Sequence, residues 1–287
     1  MGVQISRREW FFALIIALAM TALLTIPYLL GYTLARPGTV FTGLIMNPED
    51  SQSYFAKMLQ GYHGHWLYTI PFTPEPHEPA FIGGFYLALG QLARWFHLSL
   101  DFIWNGARIV ADLFLFLTTY FFISTFLDDK RQRWTAYLLA ILGSGLGWLL
   151  FTLNRVEWLG AFPVDFKMPE AHLFFSALTF PHVAAGTSIL LLSFWFLLKA
   201  IHGEDQRGIF AILAGVANLL LGIVYPFLII LVAATAVLYW LYLSVRAHQI
   251  QWRPAGLIAI ALLIPLPLNM YYAYVQFNNE VFQAWSD

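Results

Sequence analysis

The sequence predicts an all-α polytopic membrane protein of about seven transmembrane helices, with juxtamembrane helices in its first outer loop, and three observations carry that expectation. Hydrophobic residues make up 60% of the chain and charged residues 11%, with a mean hydropathy of +0.67, whereas soluble domains carry roughly 25% charged residues. Seven apolar runs, at about 10–32, 102–127, 134–153, 181–201, 208–224, 226–246 and 254–274, each approach the roughly 20 residues that cross a bilayer. Lysines and arginines gather at alternate ends of these runs, as the positive-inside rule requires.

Composition also narrows the partners. A net charge of −1 and no run of like charge give no basic field for nucleic acid. The chain has no cysteine, which removes disulfides, thiolate catalysis and cysteine-bound zinc. Its 287 residues suit one transmembrane domain over the whole length.

Taken in order, the first run follows Arg7 and Arg8. Gly2 with Ser6 fits a myristoylation pattern, and Ser6-Arg7-Arg8 resembles a twin-arginine signal. The apolar stretch 10–32 is longer than a cleaved signal core, so it reads as a retained span with a cytoplasmic N-terminus. An outer loop over 34–101 follows. Within it, Tyr54, Phe55, Met58 and Leu59 form an apolar stripe that predicts an interfacial helix over about 51–60. The stretch 79–96 is nearly long enough to span, but Gly83, Gly90 and Arg94 share one helical face, so it reads as a second interfacial helix.

The charge count decides that point. If 79–96 does not cross, nine of the fifteen lysines and arginines lie at short cytoplasmic loops or span ends: Arg7, Arg8, Lys130, Arg131, Arg133, Lys199, Arg207, Arg246 and Arg253. If it crosses, the basic DDKRQR loop is placed outside, against the rule. The seven-span path puts 34–101, 154–180 and the tail after Tyr274 on one outer face. Gly143, Gly145 and Gly147 in the third run read as packing positions. Gly222 to Pro226 reads as a tight turn between two spans, because Pro226 lacks an amide and disfavours helix at Tyr225.

The first loop concentrates the chemistry. Pro48, Glu49, Asp50 and Ser51 suit a helix start, so Asp50 reads either as an N-cap or as a site residue, and Glu49 as a dipole partner. His77-Glu78-Pro79 reads likewise as the start of the second helix or as a site. His63 and His65 form a loose pair. Asp165, Glu170, His172 and His182 are candidate metal ligands without a signature spacing. Arg108 and Asp112 are spaced i, i+4 and can pair within the membrane, or Arg108 can face an anionic headgroup.

In this order the residues resemble the membrane module of the C-type glycosyltransferase superfold, whose protein O-mannosyltransferases and lipid A aminoarabinose transferases use polyprenyl-phosphate-linked sugars. The likeness rests on an anchor span, then Asp50-x-x-x-Tyr54, Gly61-x-x-x-x-Trp66 and His77-Glu78-Pro79 leading into FIGGFYLALGQLARWFHL. It continues with Arg108, the DDKRQR loop, the turn at Gly222 to Pro226 and the closing PLPLNMYYAYVQFNNEVFQAW. The acid order differs from the family's, with Glu49 before Asp50 and Ser51 following.

The resemblance implies sugar transfer at the outer face from a polyprenyl-phosphate donor, with Asp50 as base and Glu49 beside it. It implies that Tyr54, Lys57, His77, Glu78, Arg94 and Arg108 contact substrate, and it leaves a divalent metal and a partner protein open. Family members continue past the seventh span, so the expectation is either that an acceptor-binding C-terminal portion is absent or that the sequence is a fragment. A non-catalytic polyprenyl-lipid-binding or assembly subunit of the same fold is the alternative. A transporter stands third, since no inverted repeat is visible.

Overall fold

A computed structural model describes residues 5–45, 48–158 and 160–286, with the side chains of Pro48, Glu49 and Ser286 outside the description. Gly2, the myristoylation candidate, lies outside the described residues. Among those residues the ordered elements are helical. Five helices are long and apolar enough to cross a membrane: α1 (Arg7–Thr33), α4 (Leu100–Ser124), α8 (Pro181–His202), α9 (Arg207–Val224) and α10 (Leu228–Arg246). A sixth crossing is available if α11 (Trp252–Leu263) and α12 (Leu266–Asn278), bent by 52° at their junction, act as one broken span. The chain is a multi-pass membrane protein by these helices. Their outward faces carry large apolar side chains such as Phe11 and Leu29 on α1 and Ile230 and Leu238 on α10, which only lipid solvates cheaply.

The third apolar run departs from a single span. It forms α5 (Lys130–Leu142) and α6 (Gly147–Thr152), with a break between them. At 1.5 Å per residue, the 13 residues of α5 reach about 20 Å, short of a hydrocarbon core of about 30 Å. The physical reason is Asp165. Its carboxylate accepts from the Gly147 amide at 2.9 Å, and a Cβ at Gly145 or Gly147 would stand 2.4 or 2.5 Å from its oxygens. The glycines expected to pack helices instead make room for a carboxylate.

The chain divides into two compact units. Of the described residues, one comprises those up to 48 and those in 104–188, the other those in 49–103 and from 189 onward. In the first, Ala13, Ala17, Met20 and Leu24 of α1 recur at helical spacing and are buried with Leu115 and Phe116 of α4 and Tyr137 and Ile141 of α5. Ser6 and Glu9 form a capping box at the start of α1. Glu9 then does more than cap: its other oxygen accepts from Arg133 at 3.1 Å and from the Tyr120 hydroxyl at 3.0 Å. Arg133 spends its remaining donors on the Leu127 and Asp128 carbonyls, so this buried pair is satisfied.

In the second unit, α8 to α11 share a core of Leu197, Leu221, Val232 and Ala261, among others. Asn218 is fully buried in it, accepting from Ser193 at 2.5 Å and donating to the Ala261 carbonyl at 3.0 Å. The chain turns between α9 and α10 at Tyr225 to Phe227. Here too lie α2 (Pro48–Tyr62), α3 (Gly84–Phe96) and the short C-terminal α13 (Glu280–Ser286).

Helices α2 and α3 cross where two glycines meet. A Cβ at Gly90 would lie 2.0 Å from the Met58 carbonyl oxygen, and one at Gly61 would lie 2.2 Å from that of Leu87. Only residues without a side chain let the two backbones come this close. Helix α3 starts at Gly84, later than the expected 79–96, because Ala80 is taken up in an antiparallel bridge with Tyr68, at 2.7 and 3.0 Å. Gly83, at φ +72°, then turns the chain into the helix.

Candidate functional site

The site grows from α2, whose position is set by the glycine crossing and by three ties on the loop between α2 and α3. Gln60 donates to the Thr69 carbonyl at 2.6 Å and accepts from its amide at 2.9 Å. His77 accepts from the Ile70 amide at Nε2, 2.9 Å, while Nδ1 sits 2.9 Å from the Glu75 carbonyl. Those partners fix the tautomer with the proton on Nδ1. The C-terminal segment closes over this loop: Tyr271 accepts from the Phe81 amide, Asn279 donates to the Glu78 carbonyl at 3.1 Å, and Phe282 packs edge-on to His77.

At the centre is Lys57, 6% exposed. Its ammonium lies 5.2 Å from the ring centroids of Tyr54 and Tyr68 and 5.1 Å from that of Trp285, close enough for cation–π attraction. Tyr54 is held in turn by stacking on Tyr86, centroids 4.5 Å apart. The lysine stem runs over Gly83, where a Cβ would stand 2.5 Å from its Cδ.

Among the described residues no carboxylate pairs with Lys57 and no acceptor bonds it; the ion pairs there are Arg108–Asp112 and Arg133–Glu9. Burial pulls the Lys57 ammonium down to about 8, partly opposed by the charge of Asp50. The Tyr68 hydroxyl is also buried without a hydrogen-bond partner, and burial pushes it up to about 12. Among the described residues, a largely buried ammonium without an ion-pair partner and a buried phenol without a hydrogen-bond partner therefore belong to one cage, an arrangement that an anion or other acceptor would relieve.

The other expected site residues fall as follows. Asp50 is not an N-cap: it lies inside the first turn of α2 and is exposed, favourable beside the helix dipole. The Glu49 side chain lies outside the described residues. Tyr54 and Lys57 come together in the cage. His77 ties the loop and does not start a helix, correcting the capping reading. Glu78 is exposed and contributes its carbonyl to Asn279.

Arg94 is exposed and lies over the Gly64 backbone, where a Cβ would meet its Nη1 at 2.2 Å. Arg108 belongs to the other unit and is fully buried. It pairs with Asp112 at 3.1 Å, donates to Thr25 and lies 4.1 Å over the Tyr28 ring, which is the intramembrane pair that its spacing allowed.

Asp165, Glu170 and His172 line one open cavity of about 770 Å³. Asp165 is engaged by Gly147, and His172 accepts from the Phe175 amide at 3.3 Å to cap α7 (Leu173–Thr179). Among the described residues no three His, Asp or Glu side chains gather to hold a metal ion.

Sequence reasoning missed Tyr68, Gly83 and Trp285. The sequence signals the first two only as an aromatic near an interface and one of a glycine pair, and Trp285 only as part of an aromatic tail. Comparisons with family models, with curated proteins and with solved structures find no match for this chain.

Proposed function

We propose that this protein acts on a polyprenyl-phosphate-linked sugar at the outer membrane face, as a glycosyltransferase-like protein in which the Lys57 cage holds the lipid phosphate. The observation that carries this reading is the largely buried Lys57 side chain, unpaired among the described residues, beside the buried Tyr68 hydroxyl that lacks a hydrogen-bond partner. A phosphate offers oxygens to both and neutralises the ammonium, while the aromatic walls suit the apolar part of a lipid. Asp50 lies two helical turns before Lys57 on α2, on the same face.

In transfer, the acceptor hydroxyl oxygen forms a bond to the anomeric carbon while the bond from that carbon to the phosphate oxygen breaks. The hydroxyl proton passes to the Asp50 carboxylate, and the polyprenyl phosphate leaves with the bonding electrons, held by Lys57.

The test is mass spectrometry of lipids retained by the purified protein, with a transfer assay beside it. Wild type is expected to retain a polyprenyl phosphate, Lys57→Gln to lose it, and Asp50→Asn to retain it without turnover. Equal retention by wild type and Lys57→Gln refutes the reading. One observation favours the non-catalytic alternative: among the described residues the Asp50 carboxylate has no hydrogen-bond partner to orient it, whereas a general base is ordinarily held by one. Lipid retention with no turnover by wild type selects that subunit role.

The same proposal includes the seven-span path, N-terminus in the cytoplasm and 34–101 outside, with α5 and α6 together making a short broken crossing. Single cysteines placed at Ser99 and Gln132, both exposed, in this cysteine-free chain then label from opposite sides. Labelling of both from one side overturns that path.

A further inference from the structure

The second unit carries another concentration of unpaired charge, where α8 and α10 finish and α9 and α11 begin. A concave cavity of about 490 Å³ there is lined by Arg207, Arg246, Arg253, His202 and Gln251 over an apolar floor including Leu243 and Pro254. The loops around it are pinned. His202 Nε2 is 2.6 Å from the Tyr239 hydroxyl, Trp240 donates to the Gln251 carbonyl at 3.0 Å, and Gln251 donates to Ser244 at 3.2 Å.

Three features describe the positive lining of this cavity. None of the three arginines is ion-paired among the described residues, although Glu204 and Asp205 lie in the adjoining loop. Arg207 donates through Nε to the Gly203 carbonyl and Arg246 reaches the Tyr242 hydroxyl at 3.4 Å, while Arg253 makes no side-chain hydrogen bond there. Second, Arg207 and Arg253 occupy the first turns of α9 and α11, where the helix dipole is already positive and an acid would be preferred. Third, neither N-cap, Gln206 or Gln251, gives its side chain to the first-turn amides, so those amides also lack a side-chain acceptor.

The dipoles of α9 and α11 are offset by the C-termini of α8 and α10, and the three arginines with the uncapped first-turn amides give the concavity its positive character. We infer that this cavity is a binding site for a phosphate group, distinct in residues from the Lys57 cage. Three guanidinium forks suit phosphate oxygens, and the first-turn amides of α9 and α11 offer further donors. The apolar floor and the exposed Trp252 beside it fit a phospholipid headgroup lying at the bilayer interface. A free phosphate or pyrophosphate offers the same oxygens.

The experiment separates these sources. Full-length protein is placed in nanodiscs of phosphatidylcholine alone, with inorganic pyrophosphate titrated, or of an equal mixture of phosphatidylcholine and phosphatidylglycerol. Native mass spectrometry then reads bound pyrophosphate or retained phosphatidylglycerol. Wild type is expected to hold one phosphate-bearing species in at least one arm. The variant Arg207→Gln/Arg246→Gln/Arg253→Gln should bind it on the order of a hundredfold more weakly, as expected for removing three interfacial cations.

Arg253→Gln alone, at an exposed side chain without a hydrogen bond, should weaken binding about fivefold with thermal stability unchanged, which separates loss of site from loss of fold. Lys130→Gln/Arg131→Gln, at the basic start of α5, is the control. No binding in either arm, equal binding by wild type and the triple variant, or an equal loss in the control overturns the inference.

Discussion

Replacing Lys57 by methionine keeps an unbranched side chain of similar length in the cage and removes its charge, and the expected consequence is a gain in stability at neutral pH that fades as pH rises. Burial lowers this ammonium from 10.5 to about 8, a difference that corresponds to about 3 kcal/mol favouring the neutral amine. Three ring faces at 5.1 to 5.2 Å return about 1 kcal/mol in all to the charged form. A net penalty of about 2 kcal/mol remains on the ammonium, so Lys57→Met, which removes it, raises stability at pH 7 by about 1–2 kcal/mol.

The pH dependence has the sign of that penalty. A lysine whose folded pKa is depressed makes the unfolded state bind more protons between the two values. The burial penalty is then fully present below the folded value near 8 and is relieved as pH rises toward the unfolded 10.5. Wild type should therefore gain about 1–2 kcal/mol relative to Lys57→Met from pH 7 to pH 10.5. Denaturant unfolding of the detergent-solubilised proteins at several pH values measures it. Parallel profiles for wild type and Lys57→Met refute the buried, unpaired ammonium. Saturation with a phosphate-bearing lipid should flatten the wild-type profile, because the anion favours the charged amine.

Two further outcomes follow from packing and pairing. Gly90→Ala, which places a Cβ 2.0 Å from the Met58 carbonyl oxygen, should force α2 and α3 apart and cost about 1–3 kcal/mol in the same unfolding assay; a neutral variant would show that the crossing is loose. Arg108→Met leaves Asp112 charged and unpaired at 0% exposure and should cost about 3–5 kcal/mol, most of it recovered in Arg108→Met/Asp112→Leu. A double variant no better than the single one would count against the pair.

The long apolar helices were legible because a bilayer imposes one requirement, an apolar surface of sufficient length, and that requirement is written locally in each run. What disturbed the pattern came from elsewhere in the chain. The third run reads as a span by composition, yet Asp165, well downstream, enters at Gly145 and Gly147 and ends the helix. The second loop helix was placed too early because Pro79 suits a first turn, whereas the Tyr68–Ala80 bridge holds that stretch extended. Lys57 was legible as a cation near the headgroup plane. Its cage was not, since Tyr68 lies beyond a turn and Trp285 lies at the far end of the chain.

The glycine crossing and the lysine cage are parts of one arrangement. Gly61 and Gly90 let the α2 and α3 backbones meet, and Gly83 at the head of α3 leaves the space that the Lys57 stem fills. Tyr86 of α3 stacks on Tyr54 of α2, so the same approach that buries the lysine also fixes one wall of its cage. Tyr68 is held by its bridge to Ala80, and Trp285 arrives with α13. A side chain carried so far from water without a carboxylate is held there by backbone geometry, not by an ion pair. An apolar ligand would leave both buried donors unsatisfied. A ligand with a single acceptor atom would satisfy one; a phosphate monoester, with several oxygens and a negative charge, can satisfy the ammonium and the phenol together.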